Sequence, residues 1–248
     1  MSKIIIANWK MNLSIAKSVD FIKRLKRNQN QIVLAAPYTF LPQLSKNLNL
    51  KKYQLAAQDV SQYEQGAYTG EVSAKMLKEL NCAYCVVGHS ERRIYFQETD
   101  QMINQKIQQL LNVKIKPILC IGENFRQRKK KLTKRIIKAQ LEICLKGVKD
   151  PHGLVLAYEP IWAISTFQKG KNKHSVNIKD ILEVNKYLKN TITQKYKSKA
   201  KQVKITYGGS VNPENCQEIL NQDLIEGALI GGASLKVSKF NDIIESIK

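Results

Sequence analysis

Short runs of apolar, largely β-branched residues recur along the chain, and helical periodicity follows most of them. The first run, KIIIAN (3–8), leads into SIAKSVDFIKRLKR (14–27), where Ile15, Val19, Ile22 and Leu25 fall on one helical face. Seven further strand-like runs follow, at 31–37, 54–59, 83–89, 116–123, 153–160, 203–210 and 227–232. Helical stretches lie between them, clearest at 100–112, 133–148 and 177–192, and the last covers 237–248.

This order makes eight strand-helix units of roughly thirty residues each. The strands are continuously apolar rather than alternating, which is expected where both faces of a sheet are covered. Eight such units in 248 residues predict an α/β protein, a closed (β/α)8 barrel forming a single domain over 1–248. A doubly wound open sheet is the alternative, but no strand runs into a G-x-G-x-x-G turn. Gly and Pro are scattered, and no Ser- or Gly-rich linker divides the chain.

Composition adds little to that picture until charge is considered. The N-terminal MSKIIIANWK holds an apolar core of only four residues, too short for a signal peptide or a membrane span, so a cytoplasmic protein is expected. Five cysteines argue against a disulfide framework, and the lone Cys82-Ala-Tyr-Cys85 lacks the second pair that a zinc site needs. The formal net charge of +21 is unusual. Its densest patch runs from Arg126 through Arg128 and Lys129–Lys131 to Lys134 and Arg135. The patch has no interleaved aromatics and matches no nucleic-acid module, and lysines are spread over nearly every predicted helix. A solvated exterior is the reading adopted, with nucleic acid not expected as the main partner.

Active sites of such barrels form where strands run out at their C-terminal ends. Here strand 1 ends in Asn8-Trp9-Lys10, strand 4 in His89-Ser90-Glu91, strand 5 in Cys120-Ile121-Gly122-Glu123 and strand 6 in Glu159. Strands 7 and 8 run into Gly208-Gly209-Ser210 and Gly231-Gly232. Taken singly, Glu159 suits a structural ion pair, His89 a core histidine and Lys10 a surface charge. Gathered at one mouth, they suit chemistry on a small anion. Gly-Gly turns let backbone N–H groups approach a phosphate, and a carboxylate base beside a hydrogen-bond donor can remove a proton next to a carbonyl. No clustered ligand set suggests a metal, and no fingerprint suggests a dinucleotide, so no cofactor is expected. The residues alone lead to a cofactor-free, phosphate-binding barrel enzyme that works by acid-base chemistry. Another barrel lyase or isomerase, or a basic polyanion-binding protein on the same scaffold, fits less of the pattern.

Segments NWKMN (8–12), GAYTGEVSA (66–74), VVGHSERR (86–93), CIGE (120–123), AYEPIWAI (157–164), YGGSV (207–211) and GGASL (231–235) closely resemble the triosephosphate isomerase family, in its order and at about its spacing. The resemblance implies a TIM barrel interconverting dihydroxyacetone phosphate and glyceraldehyde 3-phosphate in glycolysis and gluconeogenesis. It implies Glu159 as the base, His89 as the neutral group polarising the carbonyl, and Lys10 as the charge steadying the enediolate. Asn8 positions substrate beside Lys10, Glu91 and Cys120 shape the site from behind, and backbone groups near Ser165, Ser210, Gly231 and Gly232 hold the phosphate. The family also implies a homodimer in which Thr69, on the loop Gln65–Glu71, approaches the partner's site. Pro160 and Trp162 would form the hinge of a lid, of the kind this family exemplifies.

The chain departs from the family pattern twice. The lid reads WAISTFQKGKNKHS (162–175) where the family has WAIGTGK, so Ser165 and Phe167 replace two glycines. Loss of that backbone freedom implies a slower lid and more phosphate elimination to methylglyoxal than usual. A Ser165→Gly/Phe167→Gly variant is expected to turn over faster and release less methylglyoxal; equal values for the two proteins reject the idea. The second departure is the basic patch at 126–135, where the family commonly carries acidic residues. Steering of a dianionic substrate is one role for it, screened beyond about 8–10 Å at physiological salt.

Overall fold

The computed structural model describes residues 2–26, 28–49, 52–164 and 176–247. Eight parallel strands, β1 (Ile4–Asn8), β2 (Gln31–Ala36), β3 (Tyr53–Ala57), β4 (Cys82–Val87), β5 (Lys116–Ile121), β6 (Val155–Tyr158), β7 (Lys204–Tyr207) and β8 (Gly227–Ile230), close into a barrel in sequence order. Closure is the pairing of β1 with β8, from Ile4↔Gly227 to Ala7↔Ile230. Outside it lie α1 (Ile15–Arg24), α2 (Leu41–Asn47), α3 (Ala74–Glu79), α4 (Ser90–Tyr95) and α5 (Asp100–Asn112). The ring continues with α6 (Phe125–Lys129), α7 (Thr133–Cys144), α8 (Ile178–Tyr196), α9 (Cys216–Leu220) and α10 (Val237–Glu245).

Each strand is apolar throughout because it serves two cores. Ile4, Ile6, Val33, Ala35, Ala56, Val86, Ile118, Cys120, Val155, Ala157 and Leu229 fill the barrel interior. Their neighbours Ile5, Ala7, Leu34, Leu55, Leu119, Ile121, Leu156 and Ile205 face the helices. The two-residue period of a strand therefore survives inside an unbroken apolar run. It also positions the site: one more step beyond Ile4 and Ile6 is Asn8, and one more beyond Val155 and Ala157 is Glu159.

Two details differ from the sequence reading. Several strands open on polar residues: at the N-terminal mouth Gln31 Nε2 donates to Tyr84 Oη at 2.8 Å and also meets Gln54, while Lys204 Nζ donates to Gln31 at 3.3 Å. These groups cap the apolar interior, and each finds a partner there, as half-buried polar atoms must. The first helix is shorter, Ile15–Arg24, and buries Ser18, Phe21 and Ile22, with Leu25 at its C-cap; Ile15 is 44% exposed. Ser18 can be buried because its hydroxyl donates to Ile15 O at 2.7 Å, which lets the packed face rotate away from Ile15. Among the described residues all five cysteines are free and buried, Cys82 and Cys85 included. No helix among those residues is long and apolar enough to cross a membrane.

Candidate active site

Lys10 is held by its backbone. The chain turns after β1 with Lys10 at φ 52°, a left-handed conformation that costs a non-glycine residue about 1–3 kcal/mol and persists only where surroundings enforce it. Here Asn8 Oδ1 accepts the Lys10 N–H at 3.0 Å, and Gln58 Nε2 donates to the Lys10 carbonyl at 3.0 Å. The side chain is thereby aimed at Glu91, whose carboxylate lies 2.6 Å from Nζ.

Glu159 is 2% exposed and faces His89, with Oε1 3.3 Å from Nε2. Its other oxygen accepts the Ser90 N–H at 3.3 Å. His89 is the N-cap of α4, and its Nδ1 accepts the Glu91 N–H at 3.2 Å. A nitrogen that accepts carries no proton, so the ring hydrogen sits on Nε2 and points at Glu159. A backbone amide thus fixes the ring so that Nε2 faces Glu159, a contact that residue types alone do not reveal.

The space around Glu159 is cut to fit. A Cβ on Gly208 would stand 2.6 Å from Glu159 Cγ, so the turn after β7 passes this point without a side chain. Gly208→Ala is expected to push the carboxylate about 1 Å off its line and lower kcat about 10²-fold, with the far-UV spectrum unchanged. Steady-state kinetics check this, and a normal kcat would show that Glu159 tolerates displacement. Cys120 lies beneath Glu159 on the barrel interior; burial pushes its thiol well up, and the neighbouring carboxylate pushes the same way, so it packs as an uncharged group.

A cavity of about 200 Å³ joins these groups to the glycine turns. Asn8, Lys10, His89 and Glu159 line one part of it, and Ser210, Gly231 and Gly232 line another. Its size suits a small metabolite rather than a larger ligand. Glu91 stands in an adjoining cavity and Cys120 lines neither. Thr69 is exposed and also lines neither. Ser165, Phe167 and the lysines 169, 171 and 173 lie outside the described residues.

Glu123, which the strand-end reading included without a role, proves to be the brace behind Glu159. It is fully buried, accepts Trp162 Nε1–H at 3.1 Å and Tyr158 O–H at 3.3 Å, and its carbonyl accepts Ile161 N–H at 3.1 Å. Burial raises its carboxyl pKa, while those side-chain bonds work the other way. One carboxylate therefore grips residues on both sides of Glu159 and sets the short 3-10 turn Ile161–Ala163 after Pro160. The aromatic pair flanking Glu159 was the signal available in the sequence. Arg93 does similar work for the next strand ends: it donates to Gly88 O at 2.7 Å and Cys120 O at 3.3 Å, and pairs with Asp100 at 2.6 Å.

The family model described as triosephosphate isomerase matches residues 3–247. A triosephosphate isomerase of Alkaliphilus metalliredigens is 44% identical over 248 residues, covering 97% of this chain and 98% of that protein. One of Dictyoglomus turgidum is 43% identical over 252 residues, covering 98% and 99%. The crystal structure of triosephosphate isomerase from Bartonella henselae superposes with a TM-score of 0.88 at 28% identity, covering 99% of each chain. The closed barrel, its furnished mouth and these full-length similarities agree: the chain belongs to the triosephosphate isomerase family.

Proposed function

We propose that Glu159, His89 and Lys10 carry out the family's reaction, the interconversion of dihydroxyacetone phosphate and D-glyceraldehyde 3-phosphate, through an enediolate. The carboxylate of Glu159 takes the proton from the carbon beside the carbonyl and returns it to the neighbouring carbon. His89 donates its Nε2–H to the carbonyl oxygen, and Lys10 sets positive charge against the enediolate and the phosphate. Asn8 acts through the Lys10 turn, and N–H groups around Ser165, Ser210, Gly231 and Gly232 hold the phosphate. Oxidation of one carbon balances reduction of the other within a single substrate, so the step needs no redox cofactor.

The observation that carries this reading is the 3.3 Å contact of His89 Nε2 with Glu159 Oε1 in a cavity shared with Lys10 and the glycine turns. Both groups are spent on each other there. Substrate must separate them, which frees the base and the donor in one movement. A coupled assay on D-glyceraldehyde 3-phosphate tests the assignment, and absence of turnover in the folded wild-type protein would refute it. Its part in glycolysis supports a cytoplasmic location.

We also propose a homodimer. Met11, Tyr95 and Phe96 are 94%, 61% and 65% exposed and line a largely apolar cavity of about 500 Å³ beside the site, one that also includes Lys10 and His89. Such a patch supports a docking surface, and a second copy can fill it symmetrically. Tyr68 of the exposed loop bearing Thr69 stacks on Tyr63, just before the loop, at 3.8 Å, a stiff apolar plug of suitable chemistry. Light scattering is expected to return twice the 28.3 kDa chain mass, and a monomer at assay concentration would refute the proposal.

A further inference from the structure

The cavity holding Glu159 is lined by lysines beyond the one that the proposed reaction uses. Its lining contains Lys10, Lys236 and Lys239 against a single carboxylate, Glu159. Lys10 is taken up by Glu91 at 2.6 Å. Lys236 and Lys239 are exposed, and among the described residues neither pairs with a carboxylate. Lys236 is the extended residue before α10 and Lys239 stands in its first turn, and both line this cavity. The N-cap of α10 offers no side-chain bond, so its first N–H groups add to the positive end.

The glycines between these lysines and the catalytic groups grade outward. A Cβ on Gly231 would meet Lys10 Cε at 3.3 Å, whereas one on Gly232 would meet nothing within 4 Å. Gly231 thus seats against Lys10, and Gly232 faces open space in the cavity that Lys236 and Lys239 also line.

We propose that Lys236 and Lys239 form an outer anion subsite adjoining the phosphate cradle, so that the cavity accepts a diphosphate. One phosphoryl group rests on the Gly231–Gly232 turn, and its covalent neighbour meets the two ammonium groups. Inorganic pyrophosphate and diphosphate esters of small alcohols are the ligand class, and they bind in competition with triose phosphate. The proposal deepens the reading of that turn as the phosphate site and rests on it.

Calorimetric titration of the full chain with orthophosphate and with pyrophosphate, at fixed pH and ionic strength and without divalent metal, is the test. Each exposed cation contact contributes about two- to threefold in affinity, so the ratio of the two affinities is expected to drop about fivefold in Lys236→Ala/Lys239→Ala. Lys239→Arg is expected to keep the ratio. Lys130→Ala/Lys131→Ala removes the same charge away from the cavity and is expected to keep it as well. An unchanged ratio in the Lys236/Lys239 variant, or an equal drop in the Lys130/Lys131 variant, overturns the subsite. If neither anion binds the wild-type protein, the phosphate cradle itself is wrong, a failure visible without any turnover.

Discussion

Glu159→Asp is expected to lower kcat about 10²- to 10³-fold while KM stays within about threefold. Removing one methylene retracts the carboxylate by about 1.5 Å, the length of a C–C bond. A misplacement of about 1 Å costs proton transfer about 10²-fold, because the reacting atoms must meet within a narrow distance and angle. The proposed grip on phosphate belongs to other elements, the turns after β7 and β8 that line the same cavity, so affinity has no reason to fall with it. The shortened side chain also loses Oε contacts at 3.3 Å to His89 Nε2 and Ser90 N–H, which leaves the Nε2–H donor available to substrate. Proton abstraction should then limit the rate, and substrate deuterated at the abstracted position should show a primary isotope effect larger than in the wild type. A loss confined to KM would mean that Glu159 binds rather than reacts.

The barrel was legible because each strand serves two apolar cores and so stands out as an uninterrupted run; Ile4-Ile5-Ile6-Ala7 is divided between them residue by residue. The helices α2, α3 and α9 were not clear because they have 5 to 7 residues, less than the two turns in which a helical period can be recognised. In the site, strand parity delivers Asn8 and Glu159 to the mouth, and this much can be counted along the chain. What cannot be counted is contact across it. Gln58 on Lys10, Ser90 on Glu159 and Tyr158 on Glu123 depend on the register between strands and on which way a loop turns. Lys236 and Lys239 escaped notice for another reason: in a chain with 41 Lys and Arg, two more on a helix carry no signal until a cavity singles them out.

Lys10→Met is expected to lower kcat/KM about 10³-fold. Methionine keeps an unbranched side chain of similar reach and the same demand on a backbone at φ 52°, so the turn gains no relief and the loss belongs to the ammonium group. Removing one preorganised donor to a developing oxyanion costs about 10²- to 10³-fold, and in the proposed mechanism this donor also sets its full charge against the substrate phosphate. Part of the loss should therefore appear in KM and part in kcat. A competing explanation is that Lys10 only neutralises Glu91, 2.6 Å away, and that an unpaired carboxylate beside His89 does the damage. The double variant Lys10→Met/Glu91→Gln separates the two, because it removes both charges together. If the ammonium acts on substrate, the double variant stays as slow as Lys10→Met; recovery to within tenfold of wild type would make Lys10 a positioning residue for Glu91 instead.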